Sequence, residues 1–162
     1  MFRCKVSEKV DELEKLHKKC SWIPGKDNIR PNKDIIEKKE NYLNNLQNFY
    51  VSEKDYILSE LFNFNYSLDE KGKIWVKKND ILDKNILIEN VFRYNIEKDT
   101  KHYVMWYSYS SKKITDKKIN NDIKESLEKI VDGKDYDYVW YENPKKNIQD
   151  IFHVHVFWIL KN

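Results

Sequence analysis

The chain is short of the residues that punctuate or staple a fold. It has three glycines, three prolines and two cysteines in 162 residues. There is no Gly-rich phosphate loop, no Walker motif and no Gly-x-Ser-x-Gly nucleophile turn. Two cysteines cannot build the disulfide framework of a small secreted domain. Cys4 and Cys20 with His17 make a loose set of three, where a structural zinc site takes four ligands. No metal and no cofactor are expected. Arginine is scarce as well: only Arg3, Arg30 and Arg93 occur among thirty basic residues. A surface selected for phosphate would favour Arg for its bidentate geometry. The lysines are offset by 27 acidic residues, leaving a net charge of +3, and a Lys/Asn/Ile bias is what AT-rich coding sequence yields. Nucleic acid is therefore not an expected partner. No apolar run approaches the roughly 20 residues that span a bilayer. The opening MFRCKVSEKVDELEKL has no apolar signal core. These absences predict a protein without a membrane partner, intracellular and cytoplasmic.

Core-forming material, by contrast, is plentiful. Aromatic residues reach 14%, with five Trp and eleven Tyr, inside a 40% apolar composition. The length suits a single domain spanning 1–162. Up to residue 66 the pattern is mainly helical. Ser7 to Lys19 aligns Val10, Leu13 and Leu16. After a break at Pro24, Gly25 and Pro31, Asn32 can cap a helix carrying Ile35, Ile36, Tyr42, Leu43 and Leu46. Ser52 opens SEKD, a capping-box-like start ahead of Tyr56, Ile57, Leu61 and Phe62. From residue 72 to 162 the pattern turns to strands. KIWVKK, ILIENVF, KHYVMWYSY, YDYVWYE and IFHVHVFWIL read as strands. Between the third and fourth lies an amphipathic helix, Thr115 to Val131, carrying Ile119, Ile123, Leu127 and Ile130, with Gly133 just past its end. The order predicts an α+β fold: a mainly antiparallel sheet with helices packed on it.

The last strand poses the functional question. Side chains alternate along a strand. His153 and His155 therefore share a face with Phe157 and Ile159, while Phe152, Val154, Val156, Trp158 and Leu160 form a uniformly apolar opposite face. Two imidazoles on an apolar face are either satisfied structural groups or the polar groups of a site. On KHYVMWYSY, alternation puts His102, Val104 and Trp106 on one face and Lys101, Tyr103 and Met105 on the other. His102 is a candidate third imidazole beside the pair. His102, His153 and His155 could also serve as metal ligands. Trp106 and Trp140 are either core or base-stacking platforms. Lys145 and Lys146 are either a solvated loop or phosphate contacts.

QDIFHVHVFW resembles the signature of the histidine-triad superfamily, His-φ-His-φ-His-φ-φ with a Gln upstream, φ being apolar. Gln149, His153 and His155 fall on the Gln, the first His and the middle His; Phe157 stands where the last His belongs. The strand KHYVMW, the following helix and YDYVWYENP repeat the family's layout, with Asn143 as its Asn. The resemblance implies a histidine-triad-like core. It further implies a phosphoesterase or nucleotidyl hydrolase with a small nucleotide or phosphate ester as partner, in which His155 attacks the α-phosphate. His153 would orient it, Asn143 and Gln149 would hold phosphate, and Lys101 or Lys145 would add charge. Loss of the third His leaves the alternative of a non-catalytic binding or host-interaction protein that keeps the fold. A second resemblance covers Phe49 to Phe157. FYVSEKDYIL, NVFRYNIEKDTKHYVMWYS, YVWYENP and FHVHVF are similar to the N-acetylglucosamine-induced protein family of fungi and large DNA viruses. Asn90, Phe92 and Tyr94 match its Asn-x-Phe-Pro-Tyr element, with Arg93 in place of the Pro. Neither resemblance fixes an oligomeric state; a homodimer stays open.

Overall fold

The computed structural model describes residues 33–94, 99–142, 148 and 150–161, together with the backbone of 4–6. The fold is α+β. Its centre is a five-stranded sheet made of β1 (Cys4–Val6), β4 (Asn85–Glu89), β5 (Lys101–Tyr107), β6 (Tyr136–Tyr141) and β7 (His153–Leu160) in the order β1-β6-β7-β5-β4. Every adjacent pair is antiparallel. A separate hairpin pairs β2 (Ser67–Leu68) with β3 (Ile74–Trp75). Gly72, at φ +78°, takes the left-handed conformation that its turn requires. The expected helix at Ser7 to Lys19, the Asn32 cap and the Cys20/His17 cluster lie outside the described residues. β1 was not expected within the helical N-terminal part: three residues carry no readable period.

Each helix begins where its sequence can satisfy the first amides. Ser52 caps α2 (Glu53–Tyr56), its hydroxyl accepting from the Asp55 N–H. Thr115 caps α3 (Asp116–Val131) by accepting from the Lys118 N–H. α1 runs over Lys33–Leu46. α2 continues directly into a wider π turn, Ile57–Leu61, in which the Phe62 N–H reaches back to the Ile57 carbonyl.

The sheet is a partition between two cores. On one face α3 lays Ile119, Ile123 and Leu127 against Met105, Tyr138, Trp140, Val154, Val156 and Trp158. Val131 closes this stripe, while Ile130, expected there, is 42% exposed; each step of four drifts about 40° around the helix, so by the last turn the buried side has moved to Val131. On the other face, Ile57, Leu58, Phe62 and Phe64 pack with Val76 and Ile151 and against Ile86 and Trp106. The alternation read for β7 is the alternation observed: Phe152, Val154, Val156 and Trp158 face α3, and the histidines face the helical N-terminal part.

Candidate functional site

Antiparallel register brings the imidazoles together. His102 is paired with Phe157, Val104 with His155, and Trp106 with His153. Side chains of both strands on that face therefore interleave. His102 is 2% exposed, and His153 and His155 are 6% exposed. The Phe157 ring stacks on His102 at 4.5 Å. Tyr141, from β6, stacks on His155 at 5.4 Å. Trp106 lies 4.4 Å from His153.

Two backbone groups fix where the hydrogens are. The Tyr94 N–H donates to His102 Nδ1 at 3.1 Å. An amide N–H can only donate, so Nδ1 supplies the lone pair and neutral His102 holds its hydrogen on Nε2. That nitrogen is 2.8 Å from His155 Nδ1, and the bond runs from His102 to His155. His155 then carries its own hydrogen on Nε2. The reverse direction would leave His102 with no ring hydrogen at all. Asn90 Nδ2 lies 3.3 Å from His102 Nε2, but Asn90 Oδ1 already accepts from the Phe92 N–H at 2.9 Å. The amide thus turns a donor toward a donor, which is a contact and not a bond. His153 has the opposite polarity. Its Nδ1 is 3.0 Å from the Ile151 carbonyl oxygen, which only accepts. Nδ1 therefore holds a hydrogen, and the neutral form of this ring carries its lone pair on Nε2.

Burial, then the positive charges of Arg93 and Lys39, hold His102 well below the usual histidine range. It is neutral throughout the physiological range. With Nδ1 accepting and Nε2 donating, His102 has no lone pair left for a metal. Among the described residues no group of three or more His, Cys, Asp or Glu could hold a metal ion.

His153 and His155 line a cavity of about 180 Å³ between the sheet and the N-terminal helices. Val104, Trp106, His153 and His155 form its floor; Tyr42 and Leu43 of α1 and Tyr56, Ile57 and Leu61 of α2 and the π turn form its roof. The Tyr42 hydroxyl donates to the Tyr56 hydroxyl. Burial, then that bond, pushes the Tyr56 phenol far above its ordinary range, so this polar edge stays uncharged. Among the described lining residues Lys39 is the only cation, and Glu89 lines the same space.

The structure thus brings His102, His153, His155 and Trp106 together. It does not bring Lys101 to them: Lys101 is exposed and shares the α3 face of β5 with Tyr103 and Met105. Trp140 is fully buried on that same face, its Nε1–H donating to Asn120 Oδ1 at 3.1 Å, and packs within the α3 core. Asn143, Lys145 and Gln149 lie outside the described residues. Lys39, Tyr42 and Tyr56 were missed. Nothing separates Lys39 from the other lysines in the sequence, and both tyrosines sit at helical positions that read as core. Asn90 and Tyr94 were named only as part of a motif; the structure sets them against His102.

No helix among the described residues is long and apolar enough to cross a membrane. No curated protein matches the chain. Among solved structures, "Crystal Structure of HTC1" is similar at 16% identity over 83% of this chain and 77% of that one, with a TM-score of 0.46. The family described as "Protein of unknown function (DUF3605)" matches residues 27–159, most of the chain, and the chain belongs to that family.

Proposed function

We propose that the cavity on the histidine face is a binding site for a small, uncharged, ring-sized molecule, with His153 and His155 as its polar floor. Its size supports a ring and not a whole nucleotide. A cavity of about 150 Å³ takes benzene, whereas sites for drug-sized ligands run to roughly 300–1,000 Å³. Its walls argue the same way. A phosphate is held by several cations or a cluster of backbone N–H groups, while the described lining offers Lys39 beside Glu89. The observation that carries the reading is the direction of the His102–His155 bond: it makes His155 a hydrogen-bond donor through Nε2. A nucleophile needs a lone pair there, which weighs against His155 as the attacking group. The test is titration with nucleobases, nucleosides and nucleotides, followed by tryptophan fluorescence, since Trp106 lies against His153. Bases or nucleosides are expected to bind more tightly than the matching nucleotides, and His153→Asn with His155→Asn should abolish the response. Equal binding by the double variant would remove the cavity from consideration.

A second reading, the histidine-triad-like phosphoesterase or nucleotidyl hydrolase, is favoured by one geometric fact. His153 Nδ1 donates to the Ile151 carbonyl, leaving its Nε2 as the lone-pair nitrogen. In this reading the nucleophile is His153, not the His155 that the motif indicates. A panel of nucleoside phosphoramidates and dinucleotides tests it: His153→Asn should abolish turnover and His155→Asn should reduce it. Turnover that survives His153→Asn but not His155→Asn would return the role to His155. On the Asn90, Phe92 and Tyr94 element we propose a kinship with the N-acetylglucosamine-induced proteins, and we assign the chain to the cytoplasm.

A further inference from the structure

We infer that β4 is the contact strand of a symmetric dimer, its outer edge pairing antiparallel with β4 of a second copy of this chain. Antiparallel ladders alternate residues that bond to their neighbour with residues whose main-chain groups point away from it. At the two ends of β4 the bonding residues are even-numbered. The Ser108 N–H donates to the Lys84 carbonyl and the Asn90 N–H to the His102 carbonyl, both at 2.9 Å. The register between them is unbroken, from Asn85 opposite Tyr107 to Glu89 opposite Tyr103. Ile86 and Ile88 therefore bond to β5, and Asn85, Leu87 and Glu89 turn their N–H and C=O groups outward. β4 is the outermost strand on its side of the sheet, and among the described residues no segment pairs with its outer edge.

The two edges of the sheet are finished differently. The far edge, β1, is three residues long with Lys5 at its centre, and a very short strand bearing a Lys is a guarded edge. β4 is five residues long, Asn-Ile-Leu-Ile-Glu, with no Lys, Pro or Gly inside it. Its sequence is complementary to itself. Full antiparallel overlap has a single register: Leu87 faces Leu87 of the second copy across the twofold axis, Ile86 faces Ile88, and Asn85 faces Glu89. Apolar residues meet apolar ones, each carboxylate meets an amide that donates to it, and no like charges are opposed. An unrelated extended segment would use the main-chain groups alone; the paired side chains select a second copy. The flanks agree. Leu82, 59% exposed, and Val91, 80% exposed, stand just outside the two ends of β4, and the twofold brings Leu82 of one copy to the Val91 end of the other. Val91 also lines the histidine cavity, so the second copy reaches that cavity's rim.

A five-residue strand pair is at the small end of specific interfaces, below about 1,200 Å², so the dimer is weak, with a Kd of about 10–100 µM. Sedimentation velocity of the full chain should show the average mass rising from one chain toward two as concentration crosses that range. Hydrogen exchange read by NMR should slow at Leu87 and Glu89 as the dimer fills, while Ile86 and Ile88 stay protected at every concentration. Asn85→Glu opposes two carboxylates at both ends of the strand pair and should weaken the dimer about tenfold. Adding Glu89→Lys opposes unlike charges again and should recover it. Both positions are exposed, so thermal melting should not change. Should Asn85→Glu lower the melting temperature, Asn85→Lys replaces it; that variant sets a cation against each Glu89 and should tighten the dimer. A chain that stays monomeric across the range overturns the inference, whether its outward amides exchange freely or are shielded by the chain's own residues. So does a dimer that Asn85→Glu leaves intact or that Glu89→Lys fails to restore, since either puts the contact elsewhere on the molecule.

Discussion

His102 spends both ring nitrogens inside the protein, and its neutrality is set by what surrounds it. Burial comes first, then Arg93 and Lys39, and together they hold its pKa well below the ordinary value of 6.5. An unfolded chain leaves this imidazole at its ordinary value. As the pH falls through that value, the unfolded state takes up a proton that the folded state refuses. Stability contributed by this group is thus intact above about pH 6.5 and declines below it, by at most ~1.4 kcal/mol per pH unit. Denaturant melts between pH 7.5 and 5 should show the decline, and His102→Phe should flatten it. The face of His102 was legible in the sequence because β5 alternates cleanly from Lys101 to Tyr107. Its partners were not. Tyr94 acts through its main-chain N–H, which no side-chain pattern can advertise, and Lys39 arrives from a helix more than sixty positions earlier.

At the scale of the element, α3 is fastened to the sheet by more than its apolar stripe. Asn120, buried in the helix, accepts from the Tyr138 hydroxyl at 2.8 Å and from the Trp140 indole at 3.1 Å through one oxygen. Asn120→Leu strands two buried donors, and each stranded group costs about 1–3 kcal/mol. The midpoint of urea unfolding should fall accordingly, with an unchanged slope. On the opposite side, Asp55 ties α2 to the hairpin. One carboxylate oxygen accepts from the Ser52 hydroxyl at 2.6 Å, the other from the Val76 N–H at 2.9 Å. Asp55→Ala is expected to cost about 2 kcal/mol, and hydrogen exchange should rise first at Val76. Capping residues made these helix starts readable, because Ser52 and Thr115 perform a local task with local partners. The π turn was unreadable: it is an adjustment of Ile57–Leu61 to the space beside the sheet, imposed by tertiary packing.

Taken whole, the molecule has one sheet serving two cores, and neither core closes without it. β7 contributes Val154, Val156 and Trp158 to the α3 side and the histidines to the cavity side. Unfolding should therefore be one cooperative event, with tryptophan fluorescence and far-ultraviolet circular dichroism tracing the same curve. Two separated transitions would show that the helical N-terminal part and the sheet are independent units. The sheet itself was legible as a list of strands and a fold class. Its order was not, since nothing in the composition of β5, β6 or β7 states which is in the middle.

That order has a consequence for biosynthesis. β5 and β6 are both translated before β7, yet they do not pair with each other; β7 lies between them. A nascent chain halted ahead of Ile151 exposes two open strand margins facing a slot one strand wide. Such margins are templates for any extended segment nearby. A synthetic peptide spanning 151–161, supplied to that truncated chain, could complete the sheet in trans, so the slot that endangers the nascent molecule is also a handle for reassembling it from two fragments.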